Sequence, residues 1–180
     1  LFNELIKKNG NIITDANIPE IEKIKNISLK KKIDLSLIFD KKNGIQLISH
    51  KFSNTKQILE IEFNSKKYIC ELNLIGKIQI KNLLMASLAA YKSGIKFEKI
   101  IKVLPKLKSV EGRLEKIGEI KNNSKVILDF AHTPAALEMV LLNLKEQFPR
   151  SKINLVFGCG GDRDFKKRSL MGKIAEKYSD

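Results

Sequence analysis

Tryptophan is absent, aromatic residues make up only 7% of the chain, and just two cysteines and four prolines occur in 180 residues. The cysteines, Cys70 and Cys159, stand far apart and form no Cys-x-x-Cys or Cys/His spacing. That pattern excludes a legible zinc module or disulfide framework, and a reduced cytoplasmic protein is its simplest account. No apolar run approaches the length that spans a bilayer and no signal peptide is visible, so no membrane partner is expected. Three catalytic signatures are also missing: the GxxxxGK[ST] phosphate loop, the HExxH metal helix and the GxSxG nucleophile elbow. Acidic residues are the scarce charge, 20 against 34 basic, giving a net charge of +14 and a pI near 9.7.

That positive balance invites a nucleic-acid-binding module, the alternative from a different functional class. The lysines are spread along the chain, however, and the longest basic run is Lys30-Lys31-Lys32. No aromatic residues interleave with them to make a stacking platform. Nucleic acid is therefore not the expected partner, and small anionic substrates would profit from the same field. The chain opens on Leu1 within an apolar pattern (Leu1, Phe2, Leu5, Ile6) and stops at Asp180 after another. An internal stretch of a longer protein is expected.

The first two-thirds read as mixed α/β with antiparallel signals. Residues 1–9 end a helix at Asn9-Gly10-Asn11, Ile12 to Thr14 form a short strand, and Ile18 to Ile27 carry helical spacing. Strand patterns follow over Ile33 to Phe39, Gly44 to Ser49, Gln57 to Phe63 and Lys67 to Leu74. Asp40 to Gly44 and Asn64 to Lys66 are hairpin signals, and His50 falls in a loop. Leu83 to Tyr91 is apolar nearly all round, as for a buried helix that stops at Gly94. Asn82 in its first turn then needs a hydrogen-bonding partner. Phe97 to Leu104 forms another helix, and the stretch before residue 109 reads as a linker. Two domains are expected, 1–109 and 110–180.

After the linker, strand and helix alternate. Leu114 to Lys121 is a strand closed by Asn122-Asn123-Ser124. Lys125 to Leu128 and Ile153 to Phe157 read as strands buried on both faces of a mostly parallel sheet. Between them Thr133 caps a helix with Pro134 at its first position, and Leu137, Val140, Leu141, Leu144 and Phe148 mark its inner face. Lys166 to Tyr178 is a last helix with Leu170, Ile174 and Tyr178 on one side. This order implies a βαβ crossover whose two strand ends share one edge.

Functional side chains concentrate at those ends. The first strand leads into Asp129 and His132, and the second into Gly158-Cys159-Gly160-Gly161-Asp162-Arg163-Asp164. Ligands bind at such edges, glycines let a backbone approach closely, and Arg163 can fork two N–H bonds onto a carboxylate or phosphate. Taken singly, Asp129 fits a helix cap better and His132 a capping or packing residue better, and the glycine loop fits a solvated turn equally well.

The strings Asp129-Phe130-Ala131-His132-Thr133-Pro134-Ala135-Ala136-Leu137-Glu138 and Gly158 to Asp164 with Lys167-Arg168 and Met171-Gly172 resemble motifs of the Mur ligases. They resemble most the branch that adds diaminopimelate. Gly112-Arg113-Leu114-Glu115 is similar to the opening of that family's C-terminal domain, and Gly76 to Ala90 to a segment of its central domain. Gln79 and Phe165 depart from the family pattern, which favours Asn and Lys there.

The resemblance implies the end of a P-loop-type central ATP-binding domain (1–109) followed by the start of a Rossmann-like amino-acid-binding domain (110–180), both incomplete. It implies an ATP- and Mg2+-dependent ligase acting through an acyl phosphate on UDP-N-acetylmuramoyl-L-Ala-D-Glu and meso-diaminopimelate. The alternative within the family is the same step with lysine or another amino acid. By position, Arg163 would bind diaminopimelate. Asn82 would meet adenine, Arg113 the ribose or phosphates, and Asp129 the ribose, with His132 near the nucleotide. No catalytic or metal-holding residue falls within the chain on this reading, so no ligase activity is expected of these 180 residues alone.

Overall fold

The computed structural model describes residues 7, 10–42, 44–160 and 165–180. The helix expected over residues 1–9 and the Asp162-Arg163-Asp164 triplet lie outside the described residues, apart from Lys7. The chain divides into two compact units: Leu1–Ser53 with Gln57–Leu72 and Gln79–Leu107, and Asn54–Lys56 with Asn73–Ile78 and Lys108–Asp180.

The first unit is built on a five-stranded sheet of order β1-β2-β3-β4-β5. Strand β1 (Asn11–Asp15) leads through helix α1 (Ile21–Lys31) to β2 (Asp34–Ile38), and the two strands pair in parallel from Asn11↔Asp34 to Asp15↔Ile38. A crossover helix is the ordinary way to join parallel neighbours. Strand β3 (Gly44–Ser53) meets β2 in parallel sense at Leu37↔Gly44 and Ile38↔Ile45, so the hairpin expected at Asp40 to Gly44 does not form. Phe39 takes left-handed backbone (φ 60°) and its N–H donates to the Ile45 carbonyl at 2.7 Å. A Cβ on Gly44 would stand 1.6 Å from the Leu37 carbonyl oxygen, so only glycine admits this approach. His50 lies within β3 rather than in a loop; its Nε2 is 2.9 Å from Gln57 Oε1.

Strands β4 (Lys56–Phe63) and β5 (Lys66–Leu72) form the antiparallel hairpin that the sequence pattern predicts. Asn64 and Ser65 turn it with φ of 49° and 60°, the mirror-image turn that matches strand twist. Leu59, Ile61 and Phe63 are buried while Ile58 is partly exposed, so the alternation of β4 sorts its two faces. Helix α2 (Ile78–Lys92) buries one stripe, Ile80, Leu83, Leu84, Ser87 and Leu88. The expectation of a helix buried all round is therefore corrected: Asn82, Ala86 and Ala89 are exposed, because small side chains on a second face need no cover. Gly94 (φ 94°) ends α2 as expected, with Gly94 N–H on the Tyr91 carbonyl and Ile95 N–H on that of Ala90. Helix α3 (Phe97–Val103) opens with Phe97, whose ring stacks on Phe63 at 4.2 Å.

In the second unit, β6 (Glu115–Ile120) and β7 (Ser124–Leu128) pair antiparallel across left-handed Asn122 and Asn123. Strand β7 is thus not the doubly buried parallel strand that its apolar run suggests; Leu128 is exposed and its neighbours only half-buried. Helix α4 (Pro134–Gln147) starts as predicted: Thr133 Oγ1 accepts from Ala136 N–H at 3.2 Å and Pro134 holds the first position.

Residues 153–157 run without a strand partner among the described residues, which corrects the second expected strand. Ile153, Leu155 and Cys159 instead pack against a core of Leu137, Leu141 and Met171. Met171, on helix α5 (Phe165–Tyr178), is buried where Leu170 was expected, and Leu170 is exposed. Ile174 and Tyr178 suit either stripe at helical spacing, so the sequence pattern alone left the helix phase open by one residue.

Candidate functional site

The second unit gathers Arg113, Asp129 and His132 because β6 and β7 are antiparallel. Glu115 opposes Leu128 at the open end of the hairpin, so the turn entering β6 lies beside the loop leaving β7. Phe130 N–H donates to the Gly112 carbonyl at 2.8 Å, closing the two together. Gly112 (φ 65°) and Leu114 (φ 46°) are both left-handed, and Arg113 sits between them. Gly112 N–H donates to Glu115 Oε2 at 2.9 Å, a local bond that tightens the turn.

Asp129 uses both carboxylate oxygens within this fold. Its Oδ2 accepts from Leu114 N–H and its Oδ1 from Ala131 N–H, each at 2.8 Å. It is not the cap of the following helix, a task taken by Thr133. The Arg113 guanidinium lies 5.6 Å from the Phe130 ring centre, within cation–π range. His132 is exposed, its Nδ1 is 3.1 Å from the Phe130 carbonyl, and its ring meets Phe130 edge-on at 5.3 Å. The dipole of α4 adds positive potential beside these groups. A guanidinium, an imidazole, a helix N-terminus and an exposed aromatic ring together suit a flat, anionic ligand.

Phe130 is the residue that sequence reasoning passed over, quoted within its motif and given no role. It is 65% exposed, and the available sequence signal was an aromatic residue set between Asp129 and His132 just past the end of an apolar run.

The glycine-rich loop is described as far as Gly160. Cys159 is its anchor, with Sγ 3.5 Å from Met171 Sδ. Neither Gly158 nor Gly160 has positive φ, so the turn itself does not require glycine there. Among the described residues, a Cβ on either would meet nothing within 4 Å. Their missing side chains therefore leave open space beside an anchored backbone. Arg163, the residue expected to bind an amino-acid carboxylate, lies outside the described residues. Asn82 belongs to the first unit, exposed on α2 rather than buried and in need of a partner. Among the described residues no group of three His, Cys, Asp or Glu side chains is placed to hold a metal ion. None of the described helices is long and apolar enough to cross a membrane.

Residues 112–180 match the sequence profile of the family described as Mur ligase, glutamate ligase domain. Over its whole length the chain is 38% identical to a UDP-N-acetylmuramoyl-L-alanyl-D-glutamate–2,6-diaminopimelate ligase of Rickettsia typhi, of which it covers 36%. It is 34% identical to the like-named protein of Agrobacterium fabrum, of which it covers 37%. The chain thus spans about a third of the length of these relatives. Among solved structures it is similar to one of a diaminopimelate ligase of the same description. That match has a TM-score of 0.66 and 24% identity, covering 95% of this chain and 35% of the other. A folylpolyglutamate synthetase from Lactobacillus casei matches with a TM-score of 0.76 and 16% identity, covering 99% of this chain and 43% of the other, a likeness of fold.

Proposed function

From the match of residues 112–180 to the Mur ligase family and the 38% identity of the chain to a diaminopimelate ligase, we propose that it is part of an ATP-dependent ligase of peptidoglycan precursor synthesis in the cytoplasm. The proposed reaction joins meso-diaminopimelate to UDP-N-acetylmuramoyl-L-Ala-D-Glu. Residues 1–109 would contribute to the ATP-binding domain and residues 110–180 to the amino-acid-binding domain. What supports the reading most directly is the gathering of Arg113, Phe130 and His132 beside the N-terminus of α4, an arrangement suited to a nucleotide.

In the proposed mechanism the D-glutamate γ-carboxylate attacks the terminal phosphorus of ATP, forming an acyl phosphate and releasing ADP. The amine of the incoming amino acid then attacks the acyl carbon, a proton leaves the nitrogen, and the tetrahedral adduct expels inorganic phosphate. The contribution of this chain is binding and orientation, which carry much of the rate in phosphoryl transfer. Arg113 and His132 hold the nucleotide and Asn82 meets adenine, while Asp129, whose two oxygens already accept from Leu114 and Ala131 N–H, is left out of direct contact. Arg163 clamps an amino-acid carboxylate, and the open space at Gly158 and Gly160 is clearance for that substrate. Magnesium accompanies ATP in the proposal, but the described residues assemble no ligand set for it, so no step is routed through it.

The test is Arg163→Ala in the whole protein. The expected result is a KM for diaminopimelate at least about tenfold higher, from loss of a charge-assisted bond, with the KM for ATP within about twofold. An unchanged diaminopimelate KM refutes the Arg163 assignment. A parent enzyme that uses lysine in preference to diaminopimelate would move the reading to the other member of the family.

A further inference from the structure

The feature that the proposed mechanism leaves unused is the way the Arg113 loop is held. Arg113 lies between two left-handed residues, Gly112 and Leu114, with φ of 65° and 46°. Glycine takes that conformation freely, whereas leucine meets a clash between its Cβ and the neighbouring carbonyl. Leu114 is nonetheless 2% exposed, so its side chain is locked inside while its backbone stays in an unfavourable region. Such a conformation persists only where surrounding structure over-determines it.

Two bonds do so here. Leu114 N–H donates to Asp129 Oδ2 at 2.8 Å, and the Gly112 carbonyl accepts from Phe130 N–H at 2.8 Å. Asp129 Oδ1 meanwhile holds Ala131 N–H at 2.8 Å, which shapes the loop carrying Phe130 and His132. One carboxylate thus ties the turn that carries Arg113 to the loop that carries the ring under its guanidinium.

We propose that Asp129 is a positioning residue for Arg113: it stabilises the left-handed turn at Leu114 and so presents the guanidinium beside Phe130 and His132. The inference rests on the reading that Arg113 meets the nucleotide. It differs from a direct ribose contact by Asp129 in what a double-mutant cycle gives, because a residue acting through another loses its effect once the other is gone.

The experiment uses the whole protein and the variants Asp129→Ala, Asp129→Asn, Arg113→Ala and the Asp129→Ala/Arg113→Ala double variant. Loss of one hydrogen bond to a charged group corresponds to about a tenfold rise in the KM for ATP for Asp129→Ala. In the Arg113→Ala background the same change should add less than about twofold. Additive effects would overturn the proposal in favour of direct contact.

The second readout is amide exchange at Leu114, independent of nucleotide. Asp129→Ala should speed it at least about tenfold through loss of the acceptor, and Asp129→Asn, which keeps one acceptor oxygen, should fall between. Unchanged Leu114 exchange overturns the proposal whatever the kinetics show. If Arg113→Ala leaves ATP binding unchanged, the nucleotide role of Arg113 fails. The exchange data then still decide whether Asp129 holds the turn. If Asp129→Ala does not fold, Asp129→Asn carries both measurements.

Discussion

Gln147 offers the sharpest test of how the second unit is held together. It is the last residue of α4 and is 4% exposed. Its Oε1 accepts from Gly76 N–H at 2.8 Å and its Nε2 donates to the Asn54 carbonyl at 2.9 Å. One turn earlier, Asn143 Oδ1 accepts from Ile78 N–H at 3.1 Å. Two amides four residues apart on one helix face therefore serve the backbone N–H groups of Gly76 and Ile78, both within the second unit.

Gln147→Leu keeps the volume nearly constant and removes both bonds. Gly76 is buried, so stripping the acceptor from its N–H costs about 1–3 kcal/mol. Asn54 is exposed, and water can replace the lost donor on its carbonyl for about 1 kcal/mol or less. The expected loss is about 2–3 kcal/mol, roughly a thirtyfold or larger shift toward the unfolded state. Urea denaturation followed by circular dichroism measures it. A loss below about 0.5 kcal/mol, the level of an ordinary surface change, would refute the reasoning.

Gln147→Glu sharpens the test through pH. An ionised carboxylate still accepts from Gly76 but faces the Asn54 carbonyl with no donor, and protonation restores one. The folded-state pKa of the introduced group is therefore raised above its unfolded value of about 4.3. Its stabilising contribution is present below that value and is lost as pH rises through the folded pKa, so this variant should gain on its parent as the solution is acidified.

Burial pushes the Cys70 thiol up to about 11, whereas Cys159 is only partly covered beside Met171. A thiol reagent at pH 8 should therefore label Cys159 in the native protein and leave Cys70 until unfolding. Because the unfolded thiol ionises near 8.5, the stability that burial of neutral Cys70 contributes should be intact below that pH and fall as pH rises toward about 11. Gly76→Ala should cost at least about 2 kcal/mol in the same urea assay, since its φ is 86° and a Cβ would stand 2.4 Å from Leu114 Cδ1. Gly158→Ala meets nothing within 4 Å among the described residues and should change stability by less than about 0.5 kcal/mol. It should nonetheless raise the diaminopimelate KM of the whole protein if that space is substrate clearance.

What sequence alone determined is local. Thr133-Pro134 starting α4, Gly94 ending α2, the Asn64-Ser65 turn and the alternation along β4 follow from side-chain and backbone chemistry within a few residues. Asp129 and His132 were legible as polar groups at a strand end for the same reason, whereas Arg113 was singled out only by the family resemblance.

The partners were not legible, because apolar runs state that a segment seeks cover and not which segment supplies it. Lys125 to Leu128 reads as a parallel strand until β6 claims it antiparallel, and that choice sets Asp129 against the Gly112–Leu114 turn. Ile153 and Leu155 likewise find cover on α4 and α5, with no strand partner among the described residues. Bonds such as Gln147 to Gly76 join residues 71 positions apart, beyond the reach of any local pattern. Only the tertiary structure decided them: pairing and burial depend on which surfaces meet, whereas caps and turns depend on the few residues that form them.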